Sequence, residues 1–172
     1  MIPRIKDILY ATDLSTNSAY AFRYAVNSAQ KHDARIHILH VVETATPSAE
    51  SILQWVIGQD KIERVREDTK ESLTKRIEDR LMEFAKRELK DDPETLNRVA
   101  SIRVIIGDPA AEILKEIEKP DYDILILGTH GKGVIEQTFL GSVSEKVLHR
   151  VSKPVYIIPL PKGKTDIALG EI

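Results

Sequence analysis

Ile124-Leu125-Ile126-Leu127-Gly128-Thr129-His130-Gly131, then nine residues, then Gly141-Ser142-Val143-Ser144-Glu145, is the stretch that decides how this chain folds. Four consecutive apolar residues with no polar alternation predict a strand buried on both faces, as in a parallel sheet. Val143, Val147, Leu148 and Val151 recur at helical spacing after Ser142, so a helix follows. Ser142 and Glu145 have the form of a capping box, which starts that helix at Ser142. Strand, glycine loop and helix in this order form a phosphate cradle. Glycine lets backbone N–H groups come close to an anion, and the helix N-terminus adds unpaired donors and a partial positive charge.

Working outward, four more short apolar runs lie at Ile8–Ala11, Ile36–Val42, Ile102–Ile106 and Val155–Ile158. Helical patterns alternate with them. One runs from about Ser15 to Lys31, with Ala19, Phe22, Val26 and Ala29 at 3–4 spacing. Another begins at Gly107-Asp108-Pro109, an Asp cap followed by proline at the first helical position. It buries Ile113, Leu114 and Ile117 and stops before Pro120. Strands alternating with helices predict an α/β fold with a mainly parallel sheet. The expected architecture is an open five-stranded parallel sheet, order 3-2-1-4-5, with helices on both faces.

The longest helical pattern spans residues 60–90, with Ile62, Val65, Thr69, Leu73, Ile77, Leu81, Phe84 and Leu89 on one stripe among charged residues. At 1.5 Å per residue such a helix is about 45 Å long, more than the sheet needs, so its beginning projects or breaks. The stripe reads as a core contact below a solvated face, or as a partner-binding surface. Residues 43–59 carry Ile52, Leu53, Trp55, Val56 and Ile57 without clean periodicity. They read as a short helix over the core, or as a lid or dimer contact. With no internal repeat or linker, the 172 residues read as one domain with a short tail at 161–172.

Composition narrows the function. The balance of 25 basic and 27 acidic residues leaves no electrostatic footprint for nucleic acid. Zero cysteines exclude disulfides, thiolate catalysis and Cys-ligated metals. No apolar run is long enough to cross a bilayer, and the opening Met1-Ile2-Pro3-Arg4-Ile5 lacks a signal-peptide core, so a cytoplasmic location is expected. Walker A is absent, and G-x-G-x-x-G counted from Gly131 and Gly133 would need glycine at Glu136.

In a sheet of this order, ligands sit beyond the carboxyl ends of strands one and four, where the strand order reverses. The loop after the first strand is Ala11-Thr12-Asp13-Leu14-Ser15, and the loop after the fourth is the glycine stretch. Two separate signals converge on one crevice. Asp13 there can accept a hydrogen bond from a ribose hydroxyl or an adenine amino group, or cap the first helix, and the roles are compatible. His130 reads as a solvated or phosphate-facing donor rather than a catalyst. His40 alternates with apolar strand residues and reads as structural. His37 lies on the opposite strand face, so the two cannot share a metal.

The spacing G-x2-G-x9-G-S at Gly128, Gly131, Gly141 and Ser142 resembles the ATP-binding signature of the universal stress protein family. The likeness extends over roughly residues 3–160, through Ile8 to Ser15, Ile38 to Val42, Gly107-Asp108-Pro109 and Ser152-Lys153-Pro154-Val155. Ala11 stands where many members have proline. The resemblance implies an adenine nucleotide alpha hydrolase-like fold. It places the Thr12-Asp13 turn and the Val41 backbone against adenosine, and Gly128, His130, Gly131, Gly141, Ser142, Val143 and Ser144 around ribose and phosphates. It also implies a homodimer through strand 155–159, which a sheet-edge position favours and Pro159 and Pro161 would limit.

The expected function is an adenine-nucleotide-dependent stress-response switch, with ATP, ADP or AMP as ligand, Mg²⁺ or Mn²⁺ arriving on the phosphates, and an unnamed protein partner. No general base, Walker B pair or arginine finger is recognisable, so hydrolysis would be slow. An adenylating enzyme of the related superfamily would show S-G-G-x-D-S or H-I-G-H, and neither string occurs. A flavodoxin-like carrier would need an aromatic-lined pocket, yet aromatics make up 5% of the chain. A slow ATPase, another adenine-nucleotide enzyme or a scaffold of the same fold stands as the alternative.

Overall fold

The computed structural model describes residues 2–43, 59–129 and 140–159, including all their side chains except those of Thr16 and residues 59–69. In chain order the elements are β1 (Asp7–Thr12), α1 (Thr16–His32), β2 (Arg35–Glu43), α2 (Gln59–Glu88), α3 (Pro93–Leu96), β3 (Val99–Gly107), α4 (Pro109–Ile117), β4 (Ile124–Gly128), α5 (Ser142–Leu148) and β5 (Val155–Ile158). The five strands form one sheet in the order β3-β2-β1-β4-β5, and every paired neighbour is parallel.

Strand alternation sends side chains to two cores. On one face, Ile8, Tyr10, Ile36, Ile38, Ile124 and Ile126 pack under α1 and α2. On the other, Leu9, Ala11, Leu39, Leu125 and Leu127 pack under α4 and α5. All five residues of β4 are buried, because both faces of that strand are covered. Phe22 of α1 has its ring centroid 5.3 Å from that of Tyr10 and 5.3 Å from that of Phe84 on α2. The Tyr10 hydroxyl donates to the Ser18 carbonyl at 2.5 Å, and burial holds this phenol neutral, well above its ordinary pKa.

Several expectations change on contact with the fold. The longest helix is unbroken from Gln59 to Glu88. Its stripe is buried at Leu81, Phe84, Ala85 and Leu89, but Leu73 is 39% exposed, so α2 outruns the layer that covers it. Ile62, Val65 and Thr69 lie outside the described side chains, and nearly all of segment 43–59 and the whole 161–172 tail lie outside the described residues. The one-turn helix α3 was not anticipated, although Asp92-Pro93 carries the same cap signal as Asp108-Pro109. Leu114 is only partly buried, and Leu148 is 38% exposed. Val147 occupies the buried line of α5, and the next residue is turned about 100° away from it.

α4 carries a buried charge. Glu116 is 3% exposed and accepts hydrogen bonds from Arg103 of β3, from Lys119 (2.7 Å) and from the Tyr122 hydroxyl (2.8 Å). Burial alone would raise this carboxyl's pKa. The Lys119 and Tyr122 hydrogen bonds and the Arg103 and Lys119 charges outweigh burial and hold it below its ordinary 4.5. Its stabilisation is therefore present above that value and is lost as pH falls through the lower folded-state value. Glu116→Gln should cost about 2 kcal/mol at neutral pH, the range for hydrogen bonds to a charged group. Urea melts should show that gap closing as pH falls below the carboxyl's ordinary value and the wild-type carboxylate is itself titrated.

Candidate functional site

The crevice has two lips, one after β1 and one after β4. These strands are direct neighbours, with Ile8 opposite Ile124 and Tyr10 opposite Ile126. β1 pairs with β2 on one side and β4 on the other, so the connections leave in opposite directions and a gap opens above their carboxyl ends.

The first lip is a hydrogen-bonded turn. Thr12 Oγ1 donates to Ser18 Oγ at 2.9 Å and accepts from the Leu14 N–H at 3.1 Å. Asp13 Oδ1 accepts from the Ser15 N–H at 3.1 Å and from the Ser15 hydroxyl at 2.6 Å. Ser15, rather than Asp13, is the residue that caps α1, its side chain accepting from the Ser18 N–H. Asp13 instead braces the turn and is half-buried at its rim. Leu14 sits in the left-handed region at φ 64, a conformation that costs a leucine roughly 1–2 kcal/mol. The hydrogen bonds on either side hold it there, and local strain of this kind gathers at functional sites.

Val41 lies one residue beyond the last β1–β2 pair, Thr12 opposite His40, and is therefore level with Asp13. His40 is buried, and its Nδ1 donates to the Thr12 carbonyl at 2.7 Å. His37 points into the other core face, between Ser101 Oγ (2.8 Å) and Asp7 Oδ1 (2.9 Å). Among the described residues no group of three or more His, Asp or Glu is placed to hold a metal ion.

The second lip turns on Thr129. Its N–H donates to the Ile158 carbonyl of β5 at 3.0 Å, and its carbonyl accepts from the Gly141 N–H at 2.7 Å. Thr129 and Gly141, which flank residues 130–140, are thus joined by one backbone hydrogen bond. Gly141 is the N-cap of α5, at φ −72 and ψ 155, with no side-chain cap bond. The capping box is therefore corrected: Ser142 is already the first helical residue and is exposed. The cause is the Gly141 carbonyl, which accepts from the Glu145 N–H at 2.9 Å and so sets the first helical turn one residue early. Val143 packs partly against the second core. Ser144 is buried, its hydroxyl donating to the Gly128 carbonyl at 2.9 Å. The first-turn N–H groups of Ser142, Val143 and Ser144 have no partner within the helix. His130 and Gly131 lie outside the described residues.

One residue of this region was not anticipated. Asn17 is buried in the first turn of α1, and its Nδ2 donates to Thr129 Oγ1 at 3.3 Å. A Cβ on Gly128 would lie 2.9 Å from that Nδ2 and 3.0 Å from Asn17 Cγ. Gly128 is thus glycine for close helix–strand packing. The only local signal was a small polar residue two positions after the helix cap.

Known proteins share this fold. The chain matches the universal stress protein family over residues 4–159. Universal stress protein MJ0577 of Methanocaldococcus jannaschii is 29% identical over 157 residues, covering 89% of this chain and 94% of that protein. The solved structure of MJ0577 superposes with a TM-score of 0.66 over 94% of this chain and 100% of that one. Two more distant structures, each 19% identical and matched over 91% of this chain, share the fold. A universal stress protein in complex with cAMP has a TM-score of 0.53 over 98% of its length, and an Arabidopsis thaliana member with AMP bound has 0.54 over 93%. By sheet order, by motif and by a match running through nearly all of its length, the chain belongs to the universal stress protein family.

Proposed function

We propose that this protein binds an adenine nucleotide, ATP foremost, in the crevice between β1 and β4, and that occupancy works as a switch on its association with other proteins. The carrying observation is the meeting of two lips at the carboxyl ends of adjacent strands. The braced Thr12-Asp13 turn stands on one side, and the Gly128-Thr129 exit, closed on Gly141 and α5, on the other. Asp13 and the Val41 backbone would take adenosine. Gly128, Gly141, Ser142 and Val143 would face ribose and phosphates, together with His130 and Gly131. Ser144 supports them through its bond to Gly128. Proteins of the same fold that carry cAMP and AMP support the adenine preference. Mg²⁺ or Mn²⁺ would enter on the phosphates and keep most of its waters.

The chain should bind ATP and ADP more tightly than GTP in equilibrium titration and turn ATP over slowly. Loss of all adenine-nucleotide binding, or steady hydrolysis above about one turnover per second, would refute this reading.

A second proposal concerns assembly. β5 is a four-residue strand at the sheet edge, and Tyr156 on it is 40% exposed. Pairing with the same strand of a second copy would close this edge. Light scattering at micromolar protein should give a dimer mass, and a monomer mass would count against it.

A further inference from the structure

Two buried side chains stand behind the lips, and neither belongs to the glycine motif. His40 continues the β1–β2 ladder where the backbone ladder stops: it is the register partner of Thr12, and its imidazole supplies the donor for the Thr12 carbonyl. A carbonyl can only accept, so the proton is on Nδ1. That bond sets the direction in which the chain leaves the sheet, and Asp13 is the next residue. Asn17 does the equivalent for the other lip. It packs against Gly128 and donates to Thr129 Oγ1, and Thr129 is the residue whose backbone also holds Gly141 and Ile158.

We infer that His40 and Asn17 are the positioning residues of this crevice, His40 presetting the adenosine-facing turn and Asn17 presetting the Gly128-Thr129 exit of β4 on the phosphate side. The inference rests on the nucleotide reading above. Neither side chain needs to touch the ligand. Each holds a backbone segment whose misplacement would be felt only by the part of the nucleotide lying against it.

The experiment compares two ligands on the full chain, adenosine and ATP, by calorimetric titration beside thermal melting. His40→Leu removes the donor and should weaken adenosine and ATP by the same factor, at least about fivefold. His40→Asn keeps an N–H near the Nδ1 position and should recover most of that loss. Asn17→Ala should weaken ATP by at least about fivefold while leaving adenosine within about twofold. Thr129→Val removes the acceptor while nearly keeping the volume. It should repeat the Asn17→Ala pattern, and it serves as the comparison if Asn17→Ala does not fold. Equal losses on both ligands from the Asn17 and Thr129 variants, or normal affinities in His40→Leu, would overturn the inference while leaving the nucleotide site in place. A wild-type chain that binds neither ligand would instead remove the nucleotide reading, and this inference with it.

Discussion

Gly128→Val is expected to be the most damaging single change near the crevice, and to act on the fold before any ligand is added. A Cβ at this position would lie 2.9, 3.0 and 3.3 Å from Asn17 Nδ2, Cγ and Oδ1. Asn17 is 3% exposed and cannot swing into water. Forcing extra methyl groups into a packed site costs typically 1–3 kcal/mol, and valine's two γ-methyls put this case near 3 kcal/mol. For a chain of this size that is about 6–12 °C of melting temperature, at roughly 2–4 °C per kcal/mol. Nucleotide affinity should fall as well, because displacing Asn17 moves Thr129. Differential scanning calorimetry without nucleotide is the check, and an unchanged melting temperature would show that α1 yields and that Gly128 is not a packing glycine.

Gly141→Val should do the opposite. The residue is extended at φ −72 and ψ 155, a conformation open to any amino acid, so no left-handed backbone requires glycine here. Valine is a poorer N-cap than glycine and should cost the free protein roughly 1 kcal/mol or less. A β-branched side chain at the start of α5 would nevertheless stand in the path proposed for the phosphates. ATP affinity should drop at least tenfold, about 1.4 kcal/mol. Gly131→Val should act alike, and Asp13→Asn should weaken binding less, since an amide oxygen still accepts one hydrogen bond. The decisive pair of measurements is ATP titration beside thermal melting. A folded Gly141→Val protein with normal ATP affinity would show that this glycine only turns the chain.

The contrast between these two glycines marks how far the motif could be read. G-x2-G-x9-G-S located the second lip, and the short Thr12-Asp13 turn located the first. Their spacing presented Gly128 and Gly141 as equivalent phosphate contacts. The fold separates them: among the described residues, a side chain from another helix, Asn17, is pressed against Gly128. Ser144 is a site residue by the family resemblance, but the bond that commits its hydroxyl to the Gly128 carbonyl left no sign in the sequence. Leu14 was not legible as a strained position, since leucine is a residue that ordinarily avoids positive φ.

The sequence by itself determined the fold class, which rests on hydrophobic period and on Asp-Pro helix starts, patterns that act over a few neighbouring residues. The strand order, and with it the expected place of the crevice, came with the family resemblance. The tertiary structure alone decided that α2 runs unbroken past the layer it covers, that Leu148 faces outward, that α5 is capped by Gly141 rather than Ser142, and that Asn17 reaches Thr129. The physical reason is sequence distance. Asn17 and Thr129 are 112 residues apart, and His40 and Thr12 are 28 apart, so neither contact leaves a local pattern. Such contacts exist only once the parallel sheet has brought the ends of β1, β2 and β4 side by side.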